Sequence, residues 1–368
     1  MGKNPGLRIK MRCDKSLVRV GFIGLGQMGC MHLLNCLNIE GIKVIAVADP
    51  SKKALNKAKA LGVTNLYQDY GELLKKKHNN LDAVVISVPN FLHFDTIRSS
   101  LEHSLNVFTE KPLAISVEQC KKIVNMVRDS AKKFMIGHNL RFVPAVKKIK
   151  ADLQKGIIGN LEVATIEEIL NGPFSHPRVP APVADWWFDP YKSGGGVLID
   201  IGYHMIDLFR FFAEEDAKVE FADLSYKYSL PVEEGAIVVL STTKSSIKGI
   251  INVGWYQRSV FPKYNFRAVL HGDAGYLSTE ELVPKKIYRY AAKEVAKNLL
   301  RRVTGRKIKT LSYTYYWESY YRELVSFFES IEKDLETPIT ALDGLKTIQV
   351  IEEAYSLCKK TNGVTAVG

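Results

Sequence analysis

At 368 residues, with 46% hydrophobic and 24% charged side chains, the chain exceeds what one core usually supports and is too apolar for disorder, so two globular domains are expected. Its five cysteines, Cys13, Cys30, Cys36, Cys120 and Cys358, are odd in number and form no CxxC pair, which argues against a disulfide framework or a zinc knuckle and fits a reducing cytoplasm; no metal site is expected. The formal charge of +12 is concentrated between Lys285 and Lys309, where ten Lys or Arg stand against one acid, Glu294, and the rest of the chain is close to balanced.

Residues 1–16 are a basic extension with no apolar run behind it that could serve as a signal-peptide core, and no later stretch approaches the roughly 18 apolar residues of a membrane span. From Val18 the pattern reads strand (Val18 to Ile23), glycine turn, helix (Met28 to Leu37) and strand (Val44 to Ala48), a βαβ unit. A helix over Lys52 to Leu61, an acidic turn near Asp69 and a helix to Lys77 lead to the apolar run Ala83 to Val88. Continuity of this kind belongs to strands buried on both faces of a parallel sheet. The alternation continues with a helix at Thr96 to His103, a strand at Asn106 to Thr109, a helix at Val117 to Lys132 and a strand at Phe134 to Gly137.

After Asn139 the pattern changes. Helices at Ala145 to Lys155 and Leu198 to Phe212 flank strands at Glu162 to Leu170, Val219 to Tyr228, Ala236 to Thr243, Ser246 to Tyr256 and Arg267 to Leu270. Strands that follow one another through short turns imply a largely antiparallel sheet and an α+β second half. Helical periodicity returns at Trp317 to Leu335 and Leu342 to Lys360.

The turn after the first strand is Gly24-Leu25-Gly26-Gln27-Met28-Gly29, a GxGxxG between a strand and a helix. In that setting Gly24 permits the tight turn, Gly26 lets the backbone approach a pyrophosphate, and Gly29 lets helix and strand pack, with the helix N-terminus facing the anion. Gln27 and Met28 lie in the same turn, although core packing is the plainer use for Met28. Asp49 ends the next strand twenty residues beyond Gly29, where a carboxylate can accept hydrogen bonds from the adenosine ribose hydroxyls. This favours NAD, while Lys52 and Lys53 leave NADP open.

Five segments, the glycine turn among them, stand in an order that resembles the glucose-fructose oxidoreductase, inositol dehydrogenase and rhizopine catabolism (Gfo/Idh/MocA) family over nearly the whole chain. They are Gly21-Phe22-Ile23-Gly24-Leu25-Gly26, Val88-Pro89-Asn90 with His93, Glu110-Lys111-Pro112, Gly137-His138-Asn139-Leu140-Arg141-Phe142, and the glycine run Gly194-Gly195-Gly196 leading to Asp200 and His204. The resemblance implies an α/β Rossmann domain with a parallel sheet over 1–138. It also implies an α+β domain with an open-faced, largely antiparallel sheet over 139–368, which binds substrate and oligomerises, with a C-terminal helix able to pack back on the first domain. It places the active site between the two, with cofactor contacts from Pro89, Asn90, Glu110 and Lys111.

The chemistry expected there is oxidation of a secondary alcohol, which needs a base for the hydroxyl proton as hydride leaves carbon. Imidazole titrates near neutrality, so His204 is the proton acceptor, and the donor when the reaction runs in reverse. Lys111 holds the oxygen and Asp200, four residues before His204, orients substrate or histidine. Asp207 is read as structural, and His93 and His32 as packing residues. Substrate contacts are expected from Asn139, Arg141, Trp187 and Tyr256, with Trp186, Trp255 and Arg258 as further candidates; the family often has Arg where Trp187 stands. A sugar, a nucleotide sugar or a polyol fits these groups. A sensing or regulatory protein on the same fold is the competing reading. For Ile287 to Lys309, an insertion packed on the sheet or on a sister subunit is preferred to an amphipathic helix on anionic lipid, and no nucleic-acid motif accompanies the charge.

Overall fold

The computed structural model describes residues 17–172, 184–227, 229–256, 266–284, 287–305 and 315–361. In its first half the strands are β1 (Val18–Ile23), β2 (Ile42–Ala48), β3 (Asn65–Tyr67), β4 (Ala83–Ile86), β5 (Asn106–Glu110) and β6 (Phe134–Gly137). They form one parallel sheet in the order β3-β2-β1-β4-β5-β6, which is the order of dinucleotide-binding sheets. Every residue of β4 is buried, as its unbroken apolar run requires between two layers of helices. The strand stops at Ile86, two residues short of the apolar run, because Val88 belongs to the turn that carries Pro89. β3 was not legible in the sequence, since three half-buried residues are too short to show a period.

The helices of this half are α1 (Gln27–Cys36), α2 (Lys52–Ala60), α3 (Tyr70–Lys77), α4 (His93–Glu102) and α5 (Val117–Ser130). Ser51, Asp69 and Ser116 cap α2, α3 and α5 by accepting from the backbone N–H groups of Ala54, Glu72 and Gln119. α1 has no such cap.

The second half adds helices α6 (Pro144–Gln154), α7 (Pro190–Ser193) and α8 (Tyr203–Ala213), and strands β7 (Leu161–Ile169), β8 (Ala217–Ser225), β9 (Gly235–Thr242), β10 (Lys248–Gly254), β11 (Arg267–Gly272) and β12 (Gly275–Ser278). These strands form a six-stranded sheet in the order β12-β11-β7-β10-β9-β8. All its pairs are antiparallel except β7 with β10, whose parallel pairing runs Lys248 opposite Val163 to Gly254 opposite Ile169. Along β7 the buried residues alternate, Ala164, Ile166 and Glu168 pointing inward toward α8.

Where one helix was expected over Leu198 to Phe212, Leu198–Gly202 is instead a π-helical turn that runs into α8. The remaining helices are α9 (Thr279–Leu282), α10 (Ile287–Val303), α11 (Trp317–Glu332) and α12 (Ala341–Thr361). α11 packs on α1 and on the turn Asn139–Phe142, and α12 packs on both α5 and β8, so the C-terminal helices tie the two sheets together. Among the described residues no helix is long and apolar enough to cross a membrane, and Cys30, Cys36, Cys120 and Cys358 are free thiols.

Candidate active site

The glycine turn closes the carboxyl end of β1 against the start of α1. Gly24 has φ +89°, and a Cβ there would lie 2.3 Å from the Ser87 carbonyl oxygen; a Cβ on Gly29 would lie 2.1 Å from the carbonyl oxygen of Gly24. In both cases the atom met is a backbone oxygen, which cannot swing aside as a flexible side chain could. Gly26 differs: it is exposed, and a Cβ would meet nothing within 4 Å. The glycine there leaves the approach to the uncapped N-terminus of α1 clear, an arrangement suited to a pyrophosphate. Gln27 is exposed and Met28 half-buried on the same turn. Asp49 has a task that spacing did not foretell: Oδ2 accepts from Leu25 N at 2.6 Å and Oδ1 from Ser51 N at 2.8 Å. The carboxylate clamps the glycine turn to the end of β2, and its remaining lone pairs can accept from ribose hydroxyls. These residues fit a dinucleotide.

The turn after β4 is joined to a segment a hundred residues away. Asn90 Nδ2 donates to the carbonyl oxygen of Ser193 at 2.7 Å, and the ring of Phe91 meets that of Trp186 edge-on at 6.4 Å. Trp186 in turn stacks on Trp187 at 5.0 Å. Pro89 begins this turn. His93, buried at the start of α4, lies 2.6 Å from the Pro112 carbonyl oxygen and 3.0 Å from that of Val88, the packing role expected of it.

The Lys111–Pro112 bond is cis, at the end of β5. Lys111 Nζ donates to the Asp200 backbone carbonyl at 2.7 Å and to Asp200 Oδ1 at 2.8 Å, reaching from the first sheet to the π-helical turn. Charge-assisted bonds of this kind fix the ammonium on a long flexible stem. His204, on the first turn of α8, is pushed well below the ordinary histidine value, first by burial and then by the positive charge of Lys111. Lys111, Asp200 and His204 therefore gather from both halves into one electrostatic neighbourhood. His204 Nδ1 is buried and has no hydrogen-bond partner among the described residues. His138 supports its ring: it meets His204 edge-on at 5.4 Å and stacks on Tyr203 at 4.8 Å. Burial, with Arg141 next, also drives His138 well below its ordinary value, so both imidazoles are neutral near pH 7.

Buried acids surround this group. Glu168, 2% exposed on the inner face of β7, is pushed up to about 8 by burial and then by the charge of Asp200, against the pull of Lys111. Glu110 is buried, and its Oε1 lies 2.5 Å from His32 Nε2, so His32 is packed as expected but also partners the acid of the Glu-Lys-Pro motif. Glu323 of α11 completes a buried trio with these two, its acidity suppressed first by burial and then by Glu110. The 2.5 Å contact between His32 and Glu110 is a hydrogen-bond length, too close for two ligands of one metal ion. Glu233 accepts from the backbone N–H groups of Gly196 (2.9 and 3.0 Å) and Leu198 (3.0 Å) and from the Tyr355 hydroxyl (2.7 Å), fastening the start of the π-helical turn. A Cβ on Gly195 would lie 2.0 Å from Tyr355 Oη and one on Gly196 2.0 Å from the Glu233 carbonyl oxygen, which explains the glycine run.

Three expected substrate contacts are corrected. Asn139 is buried and donates to Ser319 Oγ on α11 at 3.0 Å. Arg141 is buried in an ion-pair knot with Asp207 (2.7 and 2.5 Å) and Asp343 (3.2 Å), its guanidinium 4.9 Å from the centre of the Phe211 ring. That knot engages the Arg141 guanidinium inside the protein and pairs it with Asp207, for which a structural role is expected. Trp255 is core, 1% exposed, with Gly172 closing over its ring. Tyr256 is half-buried, covering Gly235 and Gly254, with Lys227 Nζ 5.5 Å from its ring centre. Glu110 also has partners inside the protein, so its effect on a cofactor would pass through Lys111, to whose backbone N–H it is bonded at 3.3 Å. Arg258 lies outside the described residues. Of the residues not foreseen, Glu168 had a signal, an acid at an inward position of an alternating strand; Glu233 and Glu323 had none.

Two family models match this chain: one described as an oxidoreductase family with an NAD-binding Rossmann fold, over residues 18–138, and a GFO/IDH/MocA C-terminal domain, over residues 146–278. The inositol 2-dehydrogenase of Rhizobium meliloti is 27% identical over 342 residues, 92% of this chain and 96% of that protein. The myo-inositol 2-dehydrogenase of Thermotoga maritima is 26% identical over 89% of this chain and 92% of its own length. Among solved structures, scyllo-inositol dehydrogenase from Lactobacillus casei with bound NAD(H) and scyllo-inositol superposes with a TM-score of 0.75 at 21% identity, covering 94% of this chain and 98% of that one.

Proposed function

Because this chain belongs to the Gfo/Idh/MocA family of NAD-binding oxidoreductases, we propose that it oxidises a secondary hydroxyl of a polyol or sugar, or reduces the corresponding ketone, with Lys111, Asp200 and His204 as the reacting constellation. The observation that carries this is the bridge from Lys111 Nζ to both the carbonyl and the carboxylate of Asp200, beside a His204 held neutral.

NAD, when bound, supplies the nicotinamide carbon that accepts hydride. Gly24, Gly26 and Gly29 with the open end of α1 would hold its pyrophosphate, Asp49 its adenosine ribose, and Pro89 and Asn90 the path between them. Gln27 and Met28 would line the pyrophosphate turn, and Lys111 the nicotinamide ribose. The substrate hydroxyl would lie between Lys111 and His204. There Lys111 steadies negative charge growing on oxygen, and His204 takes the proton through a ring nitrogen. Asp200 keeps Lys111 in place, and His138 keeps the His204 ring in place. Trp186, Trp187 and Tyr256 are the apolar faces available to a sugar ring. On this reading the chain divides at residue 138, and the exposed side of the second sheet, with Phe221, Ile237 and Ile250, is the surface for self-association.

The inositol dehydrogenases among the relatives favour a free polyol over a nucleotide sugar. The test is reduction of NAD and NADP by the purified chain against a panel of inositols, aldoses and UDP-sugars. We expect turnover with NAD and a polyol or aldose, abolished in His204→Ala with NADH affinity retained. A base must be neutral to act, and the His204 value is lowered, so kcat/KM should hold through pH 6.5 and fall only at lower pH. No turnover with any panel member, together with ligand responses unchanged in His204→Ala, would overturn the reading in favour of a sensor.

A further inference from the structure

We propose that α10 is a membrane-surface helix, which seats the protein on bilayers rich in anionic phospholipid. The usual surface helix turns its apolar stripe to the core. Over Ala292 to Val303 α10 does the reverse. Among its described side chains the inward ones are Glu294, Asn298 and Arg301, of which Glu294 is 4% exposed and paired with Lys297, while Arg301 Nη1 donates to Asn298 Oδ1 at 2.9 Å.

Outward, Val295, Leu299 and Val303 form one i, i+4 row, at 47%, 59% and 84% exposure, and Leu300, at 64%, continues the adjacent row of Ala292 and Ala296. At 100° per residue the two rows make a single apolar face opposite the Glu294–Asn298–Arg301 side. Arg302 borders that face on one edge and Arg289 and Lys293 on the other; all three are exposed, and none has an ion pair with a described residue. The helix exposes no acid, because its only one is the buried Glu294.

An apolar stripe between two cationic edges matches the interface of an anionic bilayer, where side chains such as Leu299 enter the acyl boundary and the cations meet phosphates. A second copy of the chain fits poorly, since pairing this face with itself would set Arg289, Lys293 and Arg302 against like charges. This inference does not depend on the proposed reaction.

The experiment is sedimentation of the full chain with vesicles of phosphatidylcholine alone or mixed with phosphatidylglycerol. The expected result is binding to the mixed vesicles at low salt, none to the neutral ones, and release of most of the protein near ~0.5 M salt, where the screening length falls to a few ångströms. Leu299→Ser with Leu300→Ser should weaken binding about tenfold or more, as should Lys293→Glu with Arg302→Glu, both leaving NADH affinity unchanged. Absence of binding by the wild-type chain, or binding by both double variants as strong as that of the wild type, would overturn the proposal. A loss of oligomer mass by light scattering in Leu299→Ser/Leu300→Ser, without vesicle binding by the wild type, would assign the face to copies of this chain instead.

Discussion

Each sheet has six strands, but the first serves function through turns contiguous in sequence with its strands, while the second serves it through residues that lean on it from elsewhere. The parallel sheet delivers Gly24, Asp49, Pro89 and Lys111 at the carboxyl ends of β1, β2, β4 and β5, so the cofactor end follows from strand order alone. The mixed sheet contributes Glu168 directly; Asp200 and His204 stand on a π-helical turn and α8, fastened by Glu233 and Tyr355. On the proposed function, dinucleotide binding is a local property of this chain and its chemistry a non-local one. π-Helical turns recur at functional sites because the extra residue re-aims side chains, and here it brings the Asp200 carbonyl to Lys111.

The largest effect is expected at a charged side chain that crosses between the halves. Lys111→Met should lower kcat by about 10³-fold, since on the proposed mechanism it removes the cation that steadies the reacting oxygen, and it takes from Asp200 and Glu168 the charge of Lys111. Steady-state kinetics with NADH binding measured in parallel would check this; a loss of cofactor affinity alone would return Lys111 to the local half of the comparison.

Next in size is Arg141→Met. It leaves buried Asp207 with only the neutral His138 ring nearby, Nδ1 at 3.5 Å, so the domain should lose about 3 kcal/mol in denaturant unfolding. KM for the substrate should not move in whatever fraction remains folded. A raised KM at unchanged stability would restore Arg141 to the substrate site.

The smallest effect separates two glycines of one turn. Gly26→Ala has open space for its methyl group and should fold as the parent does, with NAD affinity about tenfold weaker, or ~1.4 kcal/mol. Gly29→Ala forces carbon to within 2.1 Å of the Gly24 carbonyl oxygen, so its damage should be to thermal stability of the first domain as well. Equal melting temperatures for the two would contradict this division of labour between Gly26 and Gly29.

The first half was largely legible because its signals are short-range. Continuous apolar runs such as Ala83 to Ile86 mark strands buried on both faces, and a strand, a glycine turn and a helix in succession mark a phosphate site. Boundaries shifted by a residue or two, and β3 was too short to register. In the second half the strands were legible as runs of strand character between short turns, but the parallel partnership of β7 with β10 was not, because register between strands some eighty residues apart leaves no trace in either. Asn139 and Arg141 show the same limit at the level of side chains. Polar residues at a strand end look like ligand contacts until Ser319, Asp207 and Asp343 arrive from α11, α8 and α12 to satisfy them.

What the amino-acid sequence determined by itself is what backbone conformation and neighbouring residues decide: the glycine turn, the helix opening behind it, Asp49 at the end of β2, and the buried character of the β4 run. Only the tertiary structure decided which charges meet. The Lys111 bridge to Asp200, the neutral pair His138 and His204, the raised Glu168, the knot around Arg141 and the outward apolar face of α10 all depend on burial and on partners distant in the chain. Electrostatic energies vary with the dielectric around a group and the distance to its neighbours, and a linear sequence specifies neither until it has folded.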